Sequence, residues 1–164
     1  MSDKTLDDLF YDGLKDIYYA ERKILKALPK MARGAASADL SSAFKKHQEE
    51  TEGQIERLQK VFEIFGKRAM GKTCSAIDGL LEEGEETLED FKGAPALDAA
   101  LVASAQAVEH YEIARYGTLK KWAETLGLAD AVTLLDQTLQ QESATDEALS
   151  VLAEKDANMR ALAA

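Results

Sequence analysis

Residues 40–65 read LSSAFKKHQEETEGQIERLQKVFEIF. At helical spacing one face of this stretch carries Leu40, Phe44, His47, Glu50, Gln54, Leu58, Phe62 and Phe65. Its two ends are ordinary core, but its middle, His47, Glu50 and Gln54, is polar. An ionised carboxylate buried without a partner costs several kcal/mol or more, so a glutamate inside an apolar stripe needs a cation.

The same anomaly recurs along the chain. A helix from Leu6 to about Met31 or Arg33 aligns Leu14, Ile17, Glu21, Ile24, Leu25 and Leu28. Pro29 is expected to kink or fray its end, with Gly34 as the stop. Ser37 or Asp39 can cap the second helix, which ends near Gly66. A third long helix, opening with Pro95 in its first turn and reaching about Leu126, turns Leu101, Ala105, Val108, Glu109, Glu112, Tyr116 and Leu119 to one side. A fourth, from Ala129 past Leu152, presents Leu135, Thr138 or Leu139, Glu142, Asp146, Leu149 and Leu152.

Helices of about 25 residues are roughly 38 Å long and can lie side by side. With two prolines, ten glycines and no segment of strand character, the expected fold is all-α: an up-down four-helix bundle. A short acidic helix from Ser75 to Phe91 forms the crossover between the second and third long helices. Glu21, Glu50, Glu109 and Glu142 fall near their helix midpoints, so antiparallel packing brings them to one level. Four helices giving one inward carboxylate each can build a two-metal site. Gln54, Glu112 and Asp146 either ligate as well or hydrogen-bond the ligands. His47 and His110 are read as supporting or structural residues. Internal Gly13, Gly53 and Gly117 point to close helix approach or to room for a ligand.

An oxygen-rich donor set suits iron, manganese or another divalent metal, and a chain with the single cysteine Cys74 offers no thiolate zinc site. A net charge of −10 opposes nucleic-acid binding. No run nears the roughly 20 apolar residues that span a bilayer. The 164 residues make one domain, and with no disulfide and no signal-peptide pattern in MSDKTLDDLF a cytoplasmic setting is expected.

Four segments carry a resemblance: LFYDGLKDIYYAERKIL at 9–25, HQEETEGQIERL at 47–58, VEHYEIARYGTL at 108–119 and ESATDEAL at 142–149. Over essentially its whole length the chain resembles the YciE/YciF stress-associated group of ferritin-like bacterial proteins. That resemblance implies a ferritin-like bundle, a homodimer and a centre of two iron ions, with Glu21, Glu50, Glu109 and Glu142 as its glutamates. The ferritin-like pattern also places a histidine three residues after the glutamates of the second and fourth long helices. Here those positions are Gly53 and Thr145, while Glu109 and Glu112 resemble the E-x-x-E pair of rubrerythrins. Two functions stay open: a metal centre that reacts with oxygen or peroxide or sequesters metal under stress, and a helical dimerisation scaffold whose metal site is structural or vestigial.

Overall fold

The computed structural model describes residues 3–162. Five helices carry the fold: α1 (Leu6–Gly34), α2 (Ala38–Ile64), α3 (Ser75–Asp90), α4 (Leu97–Thr125) and α5 (Ala129–Leu152). A π-helical turn, Ala153–Ala157, leads into the short α6 (Asn158–Leu162). There is no strand among the described residues.

Local chemistry sets the ends. Thr5 and Asp8 form a reciprocal capping box at the start of α1. Ser37 Oγ accepts from Leu40 N–H at 3.0 Å to cap α2. Helices α2 and α4 end alike. Lys67 N–H reaches Phe62 C=O and Leu128 N–H reaches Ala123 C=O, with Gly66 and Gly127 at φ 73°, which a residue bearing Cβ rarely adopts.

Two sequence expectations shift. The first helix runs through Pro29 to Gly34, because Leu28 and Ala32 on either side are buried and packing outweighs the missing N–H. Pro95 does not open α4 but lies in the turn before it, two residues ahead of Leu97.

Helices α1, α2, α5 and α4 pack in a ring in that order. Phe10 meets Phe65 while Ser41 Oγ bonds Ala32 C=O, so α1 and α2 are antiparallel. Gln54 reaches Glu142 and Arg57 reaches Thr138, which runs α5 against α2. The end of α1 meets Asp98 and its start meets Leu119, so α4 also opposes α1. Helices α2 and α4 are therefore parallel, and the chain must travel back along the bundle between them. Helix α3 makes that journey against α1 and α4, with Tyr19 bonded to Asp78 near one end and Leu88 against Gly34 near the other. Of the internal glycines, Gly13 marks a close approach, since a Cβ there would sit 3.0 Å from Leu119 Cδ2; around Gly117 nothing lies within 4 Å.

The α1–α2 connection hangs on one side chain. Asp98, buried at the start of α4, accepts from Ala36 N–H at 2.7 Å and Ser37 N–H at 2.8 Å. Asp98→Ala removes both charge-assisted bonds, an expected loss of about 3 kcal/mol. For a chain of this size that lowers Tm by roughly 6–12 °C. A fall of under about 2 °C in a thermal melt would show that the loop holds without the carboxylate.

Candidate metal centre

Halfway along the bundle the core turns polar. Glu21, Glu112 and Glu142 are fully buried, Glu109 is 2 % exposed, and Gln54 and His47 lie with them. His47, Glu109, Glu112 and Glu142 each offer one ligand atom, and these four atoms lie within 4.8 Å of one another. Glu21 adjoins the group, since Glu142 and Glu112 both act on its carboxyl.

The cluster has few protein partners. Tyr116 donates its hydroxyl to Glu21 Oε1, and Gln54 donates Nε2 to Glu142 Oε1. His47 Nε2 is 3.1 Å from Glu109 Oε1, but off the line that an N–H bond requires, so neither ring nitrogen has a hydrogen-bond partner. Both oxygens of Glu112 lack partners, as does one oxygen each of Glu21, Glu109, Glu142 and Gln54. Among the described residues, every buried side-chain nitrogen or oxygen without a partner belongs to this one cluster.

Charge compounds the problem. Burial, then the neighbouring Glu142, pushes the carboxyls of Glu21 and Glu112 well above the usual carboxylate range. Burial also raises Glu109, followed by its hydrogen bond with Glu142. The cation nearest in effect to Glu21 is Arg57, whose guanidinium is engaged with Thr138 Oγ1 at 3.0 Å and Gln141 Oε1 at 2.8 Å. Glu142 influences all three of the others.

This donor set fits a divalent cation. Several hard oxygens and one imidazole, dehydrated, converging and unsatisfied, leave two ways to remain buried: to take up protons or to bind metal.

The residues predicted from sequence divide in two. Glu21, Gln54, Glu109, Glu112 and Glu142 are brought together in one layer. Glu50 and Asp146 lie at its rim. Glu50 is 3.5 Å from Lys46 Nζ and accepts from Thr145 Oγ1 at 3.4 Å. Asp146 is 3.2 Å from the exposed His110 Nε2 and accepts from Gln106 Nε2 at 3.1 Å. Sequence reasoning undervalued His47, which is buried beside Glu109. The missed signal was Thr51: His47, Thr51, Gln54 and Leu58 keep a 4-3-4 spacing that holds His47 inside and turns Glu50 toward the edge. Of the nearby tyrosines, Tyr116 touches the cluster, whereas Tyr111 donates to Asp16 at 2.6 Å and meets Cys74 Sγ at 3.0 Å.

Comparison with known proteins fits this architecture. Residues 5–162 match the family model described as a domain of unknown function, DUF892. The chain belongs to that family. It is 46 % identical to protein YciF of Escherichia coli K12 over 162 residues, covering 98 % of each chain. The crystal structure of that E. coli stress protein superposes with a TM-score of 0.90 over 95 % of this chain and 99 % of the other. YcfI of Rhodopseudomonas palustris, described only as a candidate structural protein, is 53 % identical with a TM-score of 0.87, covering 89 % of this chain and 93 % of its own. A Xanthomonas campestris protein at 22 % identity and a TM-score of 0.71, covering 92 % of each chain, shares the fold.

Among the described residues no helix is long and apolar enough to cross a membrane.

Proposed function

We propose that this chain is a ferritin-like metal-binding protein holding two divalent cations of the iron class in its central carboxylate layer. The observation that carries this reading is the convergence of all the orphaned buried polar atoms on one cluster. Glu21, His47, Glu109, Glu112 and Glu142 would hold the cations. Gln54 and Tyr116 orient Glu142 and Glu21 through the hydrogen bonds they donate. Bound iron supplies redox equivalents and Lewis acidity toward oxygen or peroxide, or is itself sequestered during stress. The residues contribute a dry, oxygen-rich pocket in which burial makes every charge interaction stronger than in water. By likeness to the ferritin-like group the proposal extends to a homodimer in the cytoplasm.

A second reading keeps the metal but assigns it a structural task. The positions three residues after Glu50 and Glu142 are Gly53 and Thr145, not histidines, and YcfI is described in structural terms. The two readings differ in their response to oxidant.

Metal content per chain, measured by mass spectrometry on protein purified without chelators and then titrated anaerobically with iron, tests the proposal. Near two metals per chain with an absorbance change on adding peroxide or oxygen is expected. Metal that raises Tm but stays silent to oxidant supports the structural reading. No metal and no uptake would sink both.

A further inference from the structure

Two members of the buried cluster, His47 and Glu109, also line a cleft on the α1–α2 connection side of the carboxylate layer. Glu21, Glu112 and Glu142 are fully buried and outside its lining. The cleft opens to solvent along the α2–α5 seam, where Lys46 and Ala148 in its lining are exposed. Residue choice explains the opening. On the far side of the layer long side chains tie the seam, Gln54 to Glu142 and Arg57 to Thr138 and Gln141. On the near side stand Ala43 and Ala148, whose single methyl groups leave the space between the helices unfilled. Glu50 stands at this opening, one helical turn from His47. Its contacts are loose: Lys46 Nζ lies 3.5 Å away on a side chain that is 73 % exposed, and Thr145 Oγ1 donates at 3.4 Å. An exposed pair of that kind holds little. At the inner end both ring nitrogens of His47 and Oε2 of Glu109 are buried without partners.

We propose that this cleft is the port by which divalent cations enter and leave the carboxylate layer: Glu50 captures the cation at the mouth, and His47 and Glu109 receive it. The inference rests on the metal reading and adds to it a route and a residue for delivery. A carboxylate lining a cleft raises the local concentration of cations and their capture rate. Glu50 is loosely paired, so it can turn from Lys46 to a cation without the loss of a buried bond. The remaining walls are chiefly apolar and offer a cation few resting places short of the unsatisfied donors. Because the cleft is open to solvent, the cation keeps waters until those donors replace them. A port lowers a barrier without changing either end state. Its loss therefore slows loading and release by the same factor and leaves affinity unchanged, whereas loss of a ligand changes affinity.

Iron(II) mixed anaerobically with the metal-free full chain, stopped at intervals by excess chelator and counted by mass spectrometry, gives the loading rate. Chelator challenge of the loaded protein gives the release rate. Glu50→Gln should slow both by about tenfold, the lower end of what cleft charge adds to a capture rate, with the final metal count unchanged. Glu50→Asp, which keeps the charge, should restore most of the rate. Ala148→Leu, which fills the seam from α5, should slow both steps as well; should it fail to fold, Ala43→Met fills the seam from α2. Ala107→Leu, at an exposed position of α4 outside the cleft, should load at the native rate. Native rates in Glu50→Gln and in a folded seam-filling variant, at full metal count, would overturn the port and leave the metal reading standing. A lowered final count in Glu50→Gln would make Glu50 a ligand and overturn the port too. No iron uptake by the native chain would sink the metal reading, and the port with it.

Discussion

The double variant Glu112→Gln/Glu142→Gln should purify as a folded helical bundle without its metal. Both oxygens of Glu112 are buried without a partner, and Glu142 is the neighbour common to Glu21, Glu109 and Glu112. Glutamine keeps the size of each side chain but removes the charge that a cation needs, so affinity should fall by at least about 100-fold, the upper end of what a lost supporting contact costs. The metal-free fold should not suffer. Removing a charge that is buried without a counter-ion relieves the desolvation and the like-charge repulsion that raise the carboxyl of Glu112. The variant should therefore melt at the native metal-free temperature or above it at pH 8. Glu50→Ala is the contrast: with its carboxylate spent on Lys46 and Thr145 at the rim, its loss should leave the metal count in place. Metal analysis and a thermal melt on three proteins decide the matter. Full metal in the double variant, or none in Glu50→Ala, would move the site away from the central layer.

How far this layer could be read in advance depends on helix phase. On α4 and α5 the glutamates share one unbroken register with large apolar neighbours, Val108, Tyr116 and Leu119 for one and Leu135 and Leu149 for the other. The apolar residues pinned the phase, and the buried positions of Glu109, Glu112 and Glu142 followed. The α1 stripe of Leu14, Ile17, Ile24 and Leu28 did the same for Glu21. On α2 the middle of the stripe contains no large apolar side chain between Phe44 and Leu58 on the buried face. A step of three or of four from His47 then leads to Glu50 or to Thr51, about 100° apart, and nothing local decides between them. Packing against α5 decides it, through Gln54 with Glu142 and Arg57 with Thr138 and Gln141.

Long-range partners account for the other differences. Asp98 reads as a favourable acid in a first turn, but its role is to receive two backbone N–H groups from a loop some 60 residues earlier. Periodicity within one helix carries no trace of such a contact.

Stripped of metal, the protein should become more stable as the pH falls from 8 to 5.5, opposite to what paired surface carboxylates produce. Glu21, Glu109 and Glu112 have folded-state affinities for protons raised above the ordinary value near 4.3, by burial first and by Glu142 second or third. Between the ordinary and the raised values the folded chain holds protons that the unfolded chain has released. Stability is then fully present below the unfolded value and is lost as the pH climbs, by about 1.4 kcal/mol per pH unit for each extra proton held. One such proton corresponds to a Tm change of roughly 3–6 °C per pH unit for a chain of this length. Asp8, Asp12, Glu124 and Asp136 are shifted the other way by their hydrogen-bond partners, but these groups lie at the surface and act only at acid pH near their own titration. With metal bound this slope should be lost, because cations displace the extra protons and bind more tightly as the carboxylates ionise. The gap in Tm between loaded and chelator-treated protein should thus widen steadily toward alkaline pH, and Glu112→Gln should flatten the metal-free slope by about one proton's worth. A metal-free protein that loses stability on going from pH 8 to 5.5 would mean that the buried carboxyls are ionised and paired by some other cation, and the central layer would need a different account.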